Sequence, residues 1–408
     1  MNSATDRNVF ILGAGFSKPA GAPLIHDFLE RSHGFLNDPP PGMDDFAIKQ
    51  FREVFNFRQE MARAREKIDI DLDNIEELFG LVEMSHRLGM ARPETRSATL
   101  YLIAKTLDLC IKVPGQRTRI RLQVDSSDAS GLDALGTEIA QKMGTGTGDP
   151  VEVHYEMDMY DFFALVLGGC LDDPAKRERR SNVVITFNYD LLLENALLRV
   201  GLRPWYGQEL DQEPAGNEVP VLKLHGSANW GVCSECGQVF FPEKIARSLA
   251  EIGLLRCDKC KRRGSLQPLL VPPSWDKTDH RKTMQPVWAH AVRELKRATR
   301  ICVVGYSMPE SDAFFRYLIT LALADNHQLE RFVIVDQGRT RGGLLPTFDE
   351  VPADLTVDRK WQKLLDGIFR ERRYAIFQEG IQGFLSKTGA LKELRRAERI
   401  HSVANYGG

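Results

Sequence analysis

Three polar side chains in this sequence directly follow apolar, β-branched runs, a position at which parallel sheets place functional groups. Asn188 and Asp190 follow the run NVVITF, and His225 follows VPVLKL. An imidazole titrates near neutral pH and can take up a proton, while an amide and a carboxylate can stabilise a developing positive charge. Taken singly, His225 also fits a hydrogen-bonded core or surface histidine, and Asp190 also fits a helix cap.

A glycine-containing turn follows the first apolar run of the chain, in the stretch NVFILGAGFSKPAG. Gly13 and Gly15 permit backbone angles that a side chain forbids, and they let backbone N–H groups approach an anion at the start of a helix. The segment GAGFS therefore predicts a diphosphate-binding turn. By itself an ordinary tight turn fits equally well, because the segment lacks both the GxGxxG spacing and a Walker A lysine.

Four of the seven cysteines form two CxxC pairs, Cys233 with Cys236 and Cys257 with Cys260. Twenty residues, 237–256, separate the pairs, a spacing typical of a tetrahedral zinc site. Four thiolates leave no open coordination position, so the sequence predicts a structural Zn²⁺. Redox pairing of the cysteines is the alternative.

The segments that carry these residues share one plan, a buried strand followed by a turn of small or polar residues. The first strand is Val9–Leu12, and the later ones lie in NVVITFNYD, VPVLKLHGS, ATRICVVGYSMPESD and LERFVIVDQG. This alternation of strands and helices predicts an α/β fold with a parallel sheet and helices on its faces. Because ligands bind beyond the carboxyl ends of such strands, we expect the candidate residues at one edge of the sheet.

Changes in pattern along the chain predict how its segments are organised. The predicted segments are a first sheet segment at 1–36, a helical insertion at 37–180 with a flexible loop at 113–150, a second sheet segment at 181–228, a zinc module at 229–273, a third sheet segment at 274–345 and a C-terminal helical tail at 346–408.

The overall composition excludes several functional classes. The 408 residues are 43% hydrophobic and 27% charged with a net charge of −2, which is ordinary for a globular protein. Without a basic field, direct binding to nucleic acid is not expected. No apolar run has the length of a membrane span and no signal peptide opens the chain, so we expect a cytoplasmic protein without membrane contact.

The order of the motifs resembles that of a known family. The sequence has, in order, Gly13-Ala14-Gly15-Phe16-Ser17, Thr186-Phe187-Asn188-Tyr189-Asp190, Leu224-His225-Gly226, the two CxxC pairs and Val304-Gly305-Tyr306-Ser307. This order resembles the sirtuin pattern of GAGxS, TQNID, HG, a four-cysteine zinc module and GTS. The resemblance implies a Rossmann-like domain that binds NAD⁺ and cleaves its nicotinamide–ribose bond.

The resemblance also implies roles for individual residues. Diphosphate contacts are expected from Gly13, Ala14, Gly15, Phe16 and Ser17, and contacts to the phosphates and the adenosine ribose from Gly305 and Ser307. Asn188 is expected on the ribose side, Asp190 in the nicotinamide pocket, and His225 as the catalytic histidine. Asp336 stands where the family usually has an asparagine for the adenosine ribose. A carboxylate there accepts from ribose hydroxyls and disfavours a 2′-phosphate, so NAD⁺ is expected over NADP⁺.

Departures from the deacylase pattern point to a hydrolytic branch of the family. The arginine of the deacylase GIPDFR stretch is missing from residues 21–28, Phe187 replaces the glutamine of TQNID, and the peptide-clamping VFFGE-like strand has no counterpart. These departures, with the large helical insertion, resemble sirtuin-like effectors of bacterial anti-phage systems, which hydrolyse NAD⁺ to ADP-ribose and nicotinamide. The alternatives are an NAD-dependent deacylase or ADP-ribosyltransferase, and a non-catalytic NAD- or ADP-ribose-binding assembly module.

Partners follow only from the resemblance. Hydrolysis of an essential metabolite needs gating, and in the family that gating comes from oligomerisation or from a partner. A homo-oligomer is therefore expected, with a HerA-type ATPase or an Argonaute-like protein as the candidate partner.

Overall fold

The computed structural model describes most of the chain up to residue 335. The described residues are 6–63, 67, 69–112, 119–124, 151–156, 158–169, 180–233, 235–241, 257, 259–262, 266–272, 281–309, 312–335, 344–345, 374–377, 381 and 384–385. Most of the predicted loop at 113–150 and most of the predicted tail at 346–408 lie outside these ranges.

Within the described ranges the chain forms nine α-helices and thirteen β-strands. The helices are α1 (Ala14–Ser17), α2 (Phe28–Asn37), α3 (Asp45–Ala62), α4 (Ile75–Arg87), α5 (Pro93–Cys110), α6 (Met159–Leu167), α7 (Leu192–Arg199), α8 (Arg281–Arg297) and α9 (Ala313–Ala324). The strands are β1 (Asp6–Leu12), β2 (Arg119–Val124), β3 (Val151–Glu156), β4 (Arg180–Thr186), β5 (Arg203–Trp205), β6 (Glu218–Lys223), β7 (Gly226–Cys233), β8 (Val239–Phe240), β9 (Leu266–Leu270), β10 (Arg300–Val304), β11 (Arg331–Val335), β12 (Leu344–Leu345) and β13 (Tyr374–Phe377). No helix in these ranges has the length and apolar composition that crossing a membrane requires.

The central sheet has the strand order β12-β13-β11-β10-β1-β4-β6-β5. All neighbours pair in parallel except β12 and β13, which pair antiparallel. In β1, residues 8–12 are buried, which is the continuous apolar pattern of a parallel strand covered on both faces. Helices provide that cover; in α6, for example, Phe163 packs edge-on against Phe10 of β1. The predicted α/β, Rossmann-like fold class is confirmed.

The direction of chain progression reverses beside β1. From β1 the chain passes to β4 and β6 on one side, and it later returns to β10 and β11 on the other side. Such a reversal opens a crevice outside the carboxyl ends of the strands, where open α/β sheets bind their ligands. The switch point lies between β1, which ends at Leu12, and β10, which ends at Val304.

Helices α2 to α5 have a core of their own. Aliphatic and aromatic residues of these helices, among them Phe28, Phe51, Leu78 and Phe79, form a second buried cluster separate from the core around the sheet. The cluster reaches β9 through Leu270, which is fully buried. Because α2 contributes Phe28 to this cluster, it shares a core with the helical insertion that follows it.

Two glycine turns pack backbone against backbone at the switch point. The turn after β1 contains Gly13 and Gly15, and the turn after β10 contains Gly305, whose φ is +60°. A Cβ at Gly13 would lie 2.6 Å from the Gly305 carbonyl oxygen, and a Cβ at Gly15 would lie 2.8 Å from the Gly305 Cα. A Cβ at Gly305 would collide with the backbone of Gly15 and Phe16. Glycine is therefore required on both sides of the contact.

We expect Gly305→Ala to lower the free energy of unfolding by about 2–4 kcal/mol, because the change combines a positive φ with a backbone clash that no rotamer relieves. Urea denaturation followed by circular dichroism measures the loss. Gly34→Ala is the matched control: Gly34 lies within α2, and a Cβ added there would have no neighbouring atom within 4 Å, so alanine should leave stability unchanged or raise it. Equal stability of the two variants would contradict the required close contact.

Candidate functional site

A cavity of about 650 Å³ lies at the carboxyl edge of the sheet, at the switch point. The sheet edge contributes residues from the segments 13–17, 187–190 and 305–309, together with His225 and Asp312. The rest of the lining comes from residues 22–28 and from α4 and α5 of the helical insertion. The cavity therefore lies where the strand ends and the helical insertion meet.

Asn188 is tied to the first glycine turn by two hydrogen bonds. Its Nδ2 donates to the carbonyl oxygen of Gly13 at 2.9 Å and to Oγ of Ser17 at 3.0 Å. Because a carbonyl oxygen can only accept, the first bond fixes which side-chain atom of Asn188 is the nitrogen. Both amide protons are then used, and Oδ1 is the Asn188 atom with acceptor capacity for a bound molecule.

The backbone N–H groups of the glycine turn are largely engaged within the protein. Gly13 N–H donates to the Val304 carbonyl at 3.1 Å, and Gly15 N–H donates to the Gly305 carbonyl at 2.9 Å. Phe16 N–H donates back to the Gly13 carbonyl at 2.9 Å. The glycines thus serve the contact between the two turns, and the binding of a diphosphate by this turn stays a prediction. Ser17, whose hydroxyl accepts from Asn188, and Ala14, the first residue of α1, also line the cavity.

His225 lies beside a buried carboxylate. Its Nε2 is 3.6 Å from Oδ2 of Asp312, and both side chains are almost completely buried. Tyr306 donates its hydroxyl proton to the same Oδ2 at 2.8 Å. Burial, and next the Asp312 charge, hold the pKa of Tyr306 well above its usual range, so Tyr306 stays an O–H donor.

The buried side chain of Lys223, at the end of the strand that leads to His225, contacts the backbone of Asp190. Asp190 Oδ1 accepts from Leu192 N–H at 3.0 Å, so its side chain does act at the start of α7. Its backbone carbonyl accepts from Lys223 Nζ at 2.6 Å, and Lys223 also pairs with Glu194 Oε1 at 2.6 Å. The side chains of Lys223 and Glu194 are 1% and 3% exposed. Burial raises the pKa of Glu194, and the Lys223 ammonium opposes that rise.

The helical insertion gives the cavity an apolar wall with one carboxylate. Ile75, Phe79, Ile103 and Leu107 line it together with Glu76. Glu76 lies in the first turn of α4, where Asn74 caps the helix by accepting from Glu76 N–H at 2.9 Å. The wall is therefore built by residues far in sequence from the sheet edge that they face.

Nine of the eleven residues predicted to contact the nucleotide or to act in catalysis line this cavity. They are Gly13, Ala14, Gly15, Ser17, Asn188, Asp190, His225, Gly305 and Ser307. Phe16 does not: its side chain is in the core, edge-on to Tyr160 at 5.2 Å. Its position two residues into α1 turns the ring away from the cavity. Asp336 lies outside the described residues.

Sequence reasoning missed Asp312, Lys223, Tyr306 and Glu76. Asp312 resembles an ordinary helix cap in the sequence, and it does accept from Phe315 N–H at 3.2 Å. Lys223 precedes the Leu-His-Gly motif directly, and a cation inside an otherwise apolar strand could have indicated a buried partner. Nothing in the sequence around Glu76 indicates that this residue lies in the same cavity as the residues at the sheet edge.

The four cysteines form a compact cluster at the end of a three-stranded antiparallel sheet of β8, β7 and β9. Their sulfur atoms all lie within 4.8 Å of one another. Each pair is a matching turn: Gly237 N–H donates to the Cys233 carbonyl at 2.9 Å, and Lys261 N–H donates to the Cys257 carbonyl at 2.8 Å. Gly237 and Lys261 both have positive φ. Four thiolates in two such turns fit a tetrahedral Zn²⁺ with no open position, which is a structural role.

The comparison with protein families adds a sequence-based finding. Residues 182–342 match the family model of the SIR2-like domain. This stretch of the chain is similar to the SIR2-like domain. The match begins in β4 and extends past β11, so it includes Asn188, Asp190, His225, the cysteine cluster and the second glycine turn. The predicted resemblance to sirtuins is confirmed for this domain.

The solved structures that resemble the chain are distant. A crystal structure of a Sir2 homologue–NAD complex is 16% identical, with a TM-score of 0.37, and the match covers 96% of this chain and 90% of that one. A structure described for the mechanism and regulation of Sir2 enzymes is 13% identical, with a TM-score of 0.38 and coverage of 96% and 94%. A mutant Sir2 homologue in complex with ADP-ribose is 15% identical, with a TM-score of 0.34 and coverage of 90% and 92%. No curated protein matches the chain. At these scores the resemblance to sirtuins rests on the match of residues 182–342 to the SIR2-like domain model.

We expect Lys223→Met to lower the free energy of unfolding by about 3–5 kcal/mol, because it leaves Glu194 buried without its counter-charge. Without Lys223 the folded-state pKa of Glu194 rises further above its unfolded value, so the folded variant binds more protons than the unfolded chain. Its stability should therefore fall as the pH rises above the unfolded-state pKa of glutamate, about 4.3, and fall more steeply than that of the wild type. Urea denaturation at several pH values measures this.

Two variants control the Lys223 experiment. Lys296→Met breaks an exposed ion pair with Asp325 and should cost less than about 1 kcal/mol. The double variant Lys223→Met with Glu194→Leu removes both charges and should recover part of the stability. If Lys223→Met costs no more than Lys296→Met, the buried pair does not hold this region together.

The purified protein should contain about one zinc ion per chain, and Cys236→Ser should lose that zinc and lower the melting temperature. Elemental analysis and thermal denaturation measure the two effects. Cys110→Ser is the control, because Cys110 is in α5 and outside the cluster. Retention of stoichiometric zinc by Cys236→Ser would argue against a four-cysteine site.

Proposed function

We propose that the cavity binds NAD⁺ and hydrolyses it to ADP-ribose and nicotinamide, with Asn188 and His225 as the central residues. The observation that carries this proposal is the convergence of three separate motifs, the Gly13–Ser17 turn, Asn188 and His225, around one cavity at the switch point of the sheet. The SIR2-like domain over residues 182–342 supports the choice of a dinucleotide substrate.

In the proposed reaction the bond between the nicotinamide nitrogen and ribose C1′ breaks, and its electron pair goes to the nitrogen. Nicotinamide leaves as a neutral molecule, so no general acid is required. The water oxygen bonds to C1′, and one proton of that water is released. The products are ADP-ribose, nicotinamide and a proton.

The residues divide this work by their chemistry. The acceptor Oδ1 of Asn188 is suited to a ribose hydroxyl or to the attacking water, since both amide protons are used within the protein. His225 is suited to take the proton from a ribose hydroxyl or from water. Asp190 lies close to these groups as a carboxylate that favours the oxocarbenium-like transition state. Ser17 and Ser307 supply hydroxyl groups for the diphosphate and the adenosine ribose.

Two features favour water over an acyl-lysine as the acceptor. Phe187, at the glutamine position of the deacylase motif, is stacked on Tyr306 at 4.1 Å and offers no hydrogen bond. In addition, α4 and α5 of the helical insertion contribute an apolar wall to the cavity. Both features argue against a site built to bind an acyl-lysine peptide.

The proposal extends to a biological role as an anti-phage effector whose activity is gated. Destruction of NAD⁺ would harm the host cell unless assembly or a partner controls it. A homo-oligomer, a HerA-type ATPase or an Argonaute-like protein remains the expected means of control. The activity test therefore includes the products of adjacent genes.

We expect the wild-type chain, alone or with such a partner, to convert NAD⁺ to ADP-ribose without any peptide. Asn188→Ala and His225→Ala should each lower turnover by at least about 100-fold, because each removes a group that acts on the reacting ribose or water. Chromatographic separation of the products measures turnover, and circular dichroism checks that the variants fold.

Asn195→Ala and His327→Ala are the matched controls, since neither residue lines the cavity and both should retain wild-type turnover. Nicotinamide release that depends on an acylated peptide would replace the hydrolase with a deacylase. NAD⁺ binding without turnover under every condition would instead identify a non-catalytic binding module.

A further inference from the structure

We propose that Asp312 is the positioning residue of His225, a buried carboxylate that orients the imidazole and stabilises its protonated form. This inference rests on the proposed function, in which His225 accepts a proton. It adds Asp312, from the turn before α9, to the motif residues that follow β1, β4, β6 and β10.

The two oxygen atoms of Asp312 have separate tasks. Oδ1 accepts from Phe315 N–H at 3.2 Å and so caps α9. Oδ2 lies 3.6 Å from His225 Nε2 and accepts the Tyr306 hydroxyl proton at 2.8 Å. A residue needed only as a cap would use one oxygen, whereas this carboxylate directs the second oxygen at the imidazole.

The surroundings favour the ionised form of Asp312. A buried carboxylate is costly unless hydrogen bonds and opposite charge compensate it. Here the N–H of Phe315 and the hydroxyl of Tyr306 both donate to it, and it lies at the N-terminal end of α9, where the helix dipole favours negative charge. A carboxylate supported in this way is available to balance a positive charge on His225.

Aromatic packing holds the imidazole against this carboxylate. Phe187 contacts His225 edge-on with ring centroids 5.2 Å apart, and it stacks on Tyr306 at 4.1 Å with an interplanar angle of 12°. Phe315 packs edge-on against Phe187 at 4.8 Å. Phe187 therefore joins the imidazole to the tyrosine that binds Asp312, and this explains a phenylalanine at that position.

The geometry fits a function that depends on proton transfer. The 3.6 Å separation is longer than a hydrogen bond, and such contacts in unliganded sites are often longer than in the reacting complex. When His225 takes a proton, the new positive charge lies next to a carboxylate in a site of low polarity, where the attraction is much stronger than in water. Asp312 therefore lowers the cost of the proton transfer by acting on His225.

The first experiment measures turnover by Asp312→Asn, which removes the charge and keeps one oxygen for the cap, while an NH2 group replaces the oxygen that faces Tyr306 and His225. We expect kcat for NAD⁺ to fall roughly 10- to 100-fold while KM changes far less, because the carboxylate acts through His225. Asp158→Asn is the matched control: Asp158 is also a buried carboxylate that caps a helix, accepting from Tyr160 N–H at 2.7 Å, and it does not line the cavity. The control should retain kcat.

The second experiment needs no turnover. Histidines labelled with ¹³C are titrated by NMR, and the His225 signal is assigned from its absence in His225→Asn. In Asp312→Asn the titration midpoint of His225 should move to lower pH, because the charge that favours imidazolium is gone. In Tyr306→Phe it should move to higher pH, because Oδ2 loses a competing donor. The other titratable side chains that share the cavity, His26, Glu76, Tyr189 and Asp190, are unchanged in both variants.

Wild-type kcat together with an unshifted His225 titration in Asp312→Asn would overturn the inference and leave Asp312 as a helix cap. If Asp312→Asn does not fold, Tyr306→Phe decides, and an unshifted midpoint there overturns the inference. If the wild-type chain never turns over NAD⁺, the proposed function fails while the titration still decides the coupling of Asp312 to His225.

Discussion

The contact between the two glycine turns is the constraint on which the rest of the site depends. Gly15 and Gly305 meet without any intervening side chain, and Gly15 N–H donates to the Gly305 carbonyl at 2.9 Å. This contact closes the sheet edge at the switch point and fixes where the turn after β1 can lie. Asn188 is then fixed by the Gly13 carbonyl at 2.9 Å. A shift of either turn would therefore displace the central amide of the site.

A second constraint, the buried ammonium group of Lys223, links the ends of β4 and β6. Lys223 ends β6 just before His225, and its Nζ reaches the Asp190 carbonyl and the Glu194 carboxylate. Buried ion pairs of this kind add little net stability compared with apolar packing, but breaking one partner is costly. The pair thus specifies the relative placement of the segment 188–190 and of His225 more than it stabilises the fold. The catalytic geometry proposed for this site would need such support, since small displacements of catalytic groups have large effects on rate.

The sequence predicted the sheet edge well because a general rule applied to each strand separately. Each apolar run ended in a small or polar residue, and parallel strands bring such ends to one side, as Asn188, His225 and Ser307 show. The four-cysteine spacing was equally informative, because the ligand pattern is local. Both predictions needed no knowledge of long-range contacts.

What the sequence could not predict depends on contacts between distant segments. The segment GAGFS predicts a diphosphate-binding turn, but nothing near Gly13 in the sequence shows that β10 and the turn after it provide acceptors for the N–H groups of Gly13 and Gly15. The motif predicts a contact between Phe16 and the diphosphate, whereas the ring of Phe16 packs against Tyr160 in the core. Asp312 looked like a cap because capping is a local function, and its second oxygen finds His225 only after the sheet has formed.

The charge of the cavity places a further condition on the proposed substrate. Among the lining residues that the structure describes, Glu76, Asp190 and Asp312 are carboxylates, and none is a lysine or arginine. Such a lining suits the cationic pyridinium of NAD⁺ and opposes the negative charge of its diphosphate. In the proposed complex the diphosphate would bind through the neutral hydroxyl groups of Ser17 and Ser307, which also line the cavity. In the proposed reaction the positive charge of the pyridinium is lost on cleavage, and the same carboxylates would then repel the ADP-ribose. The charge proposed to assist cleavage would therefore also assist product release.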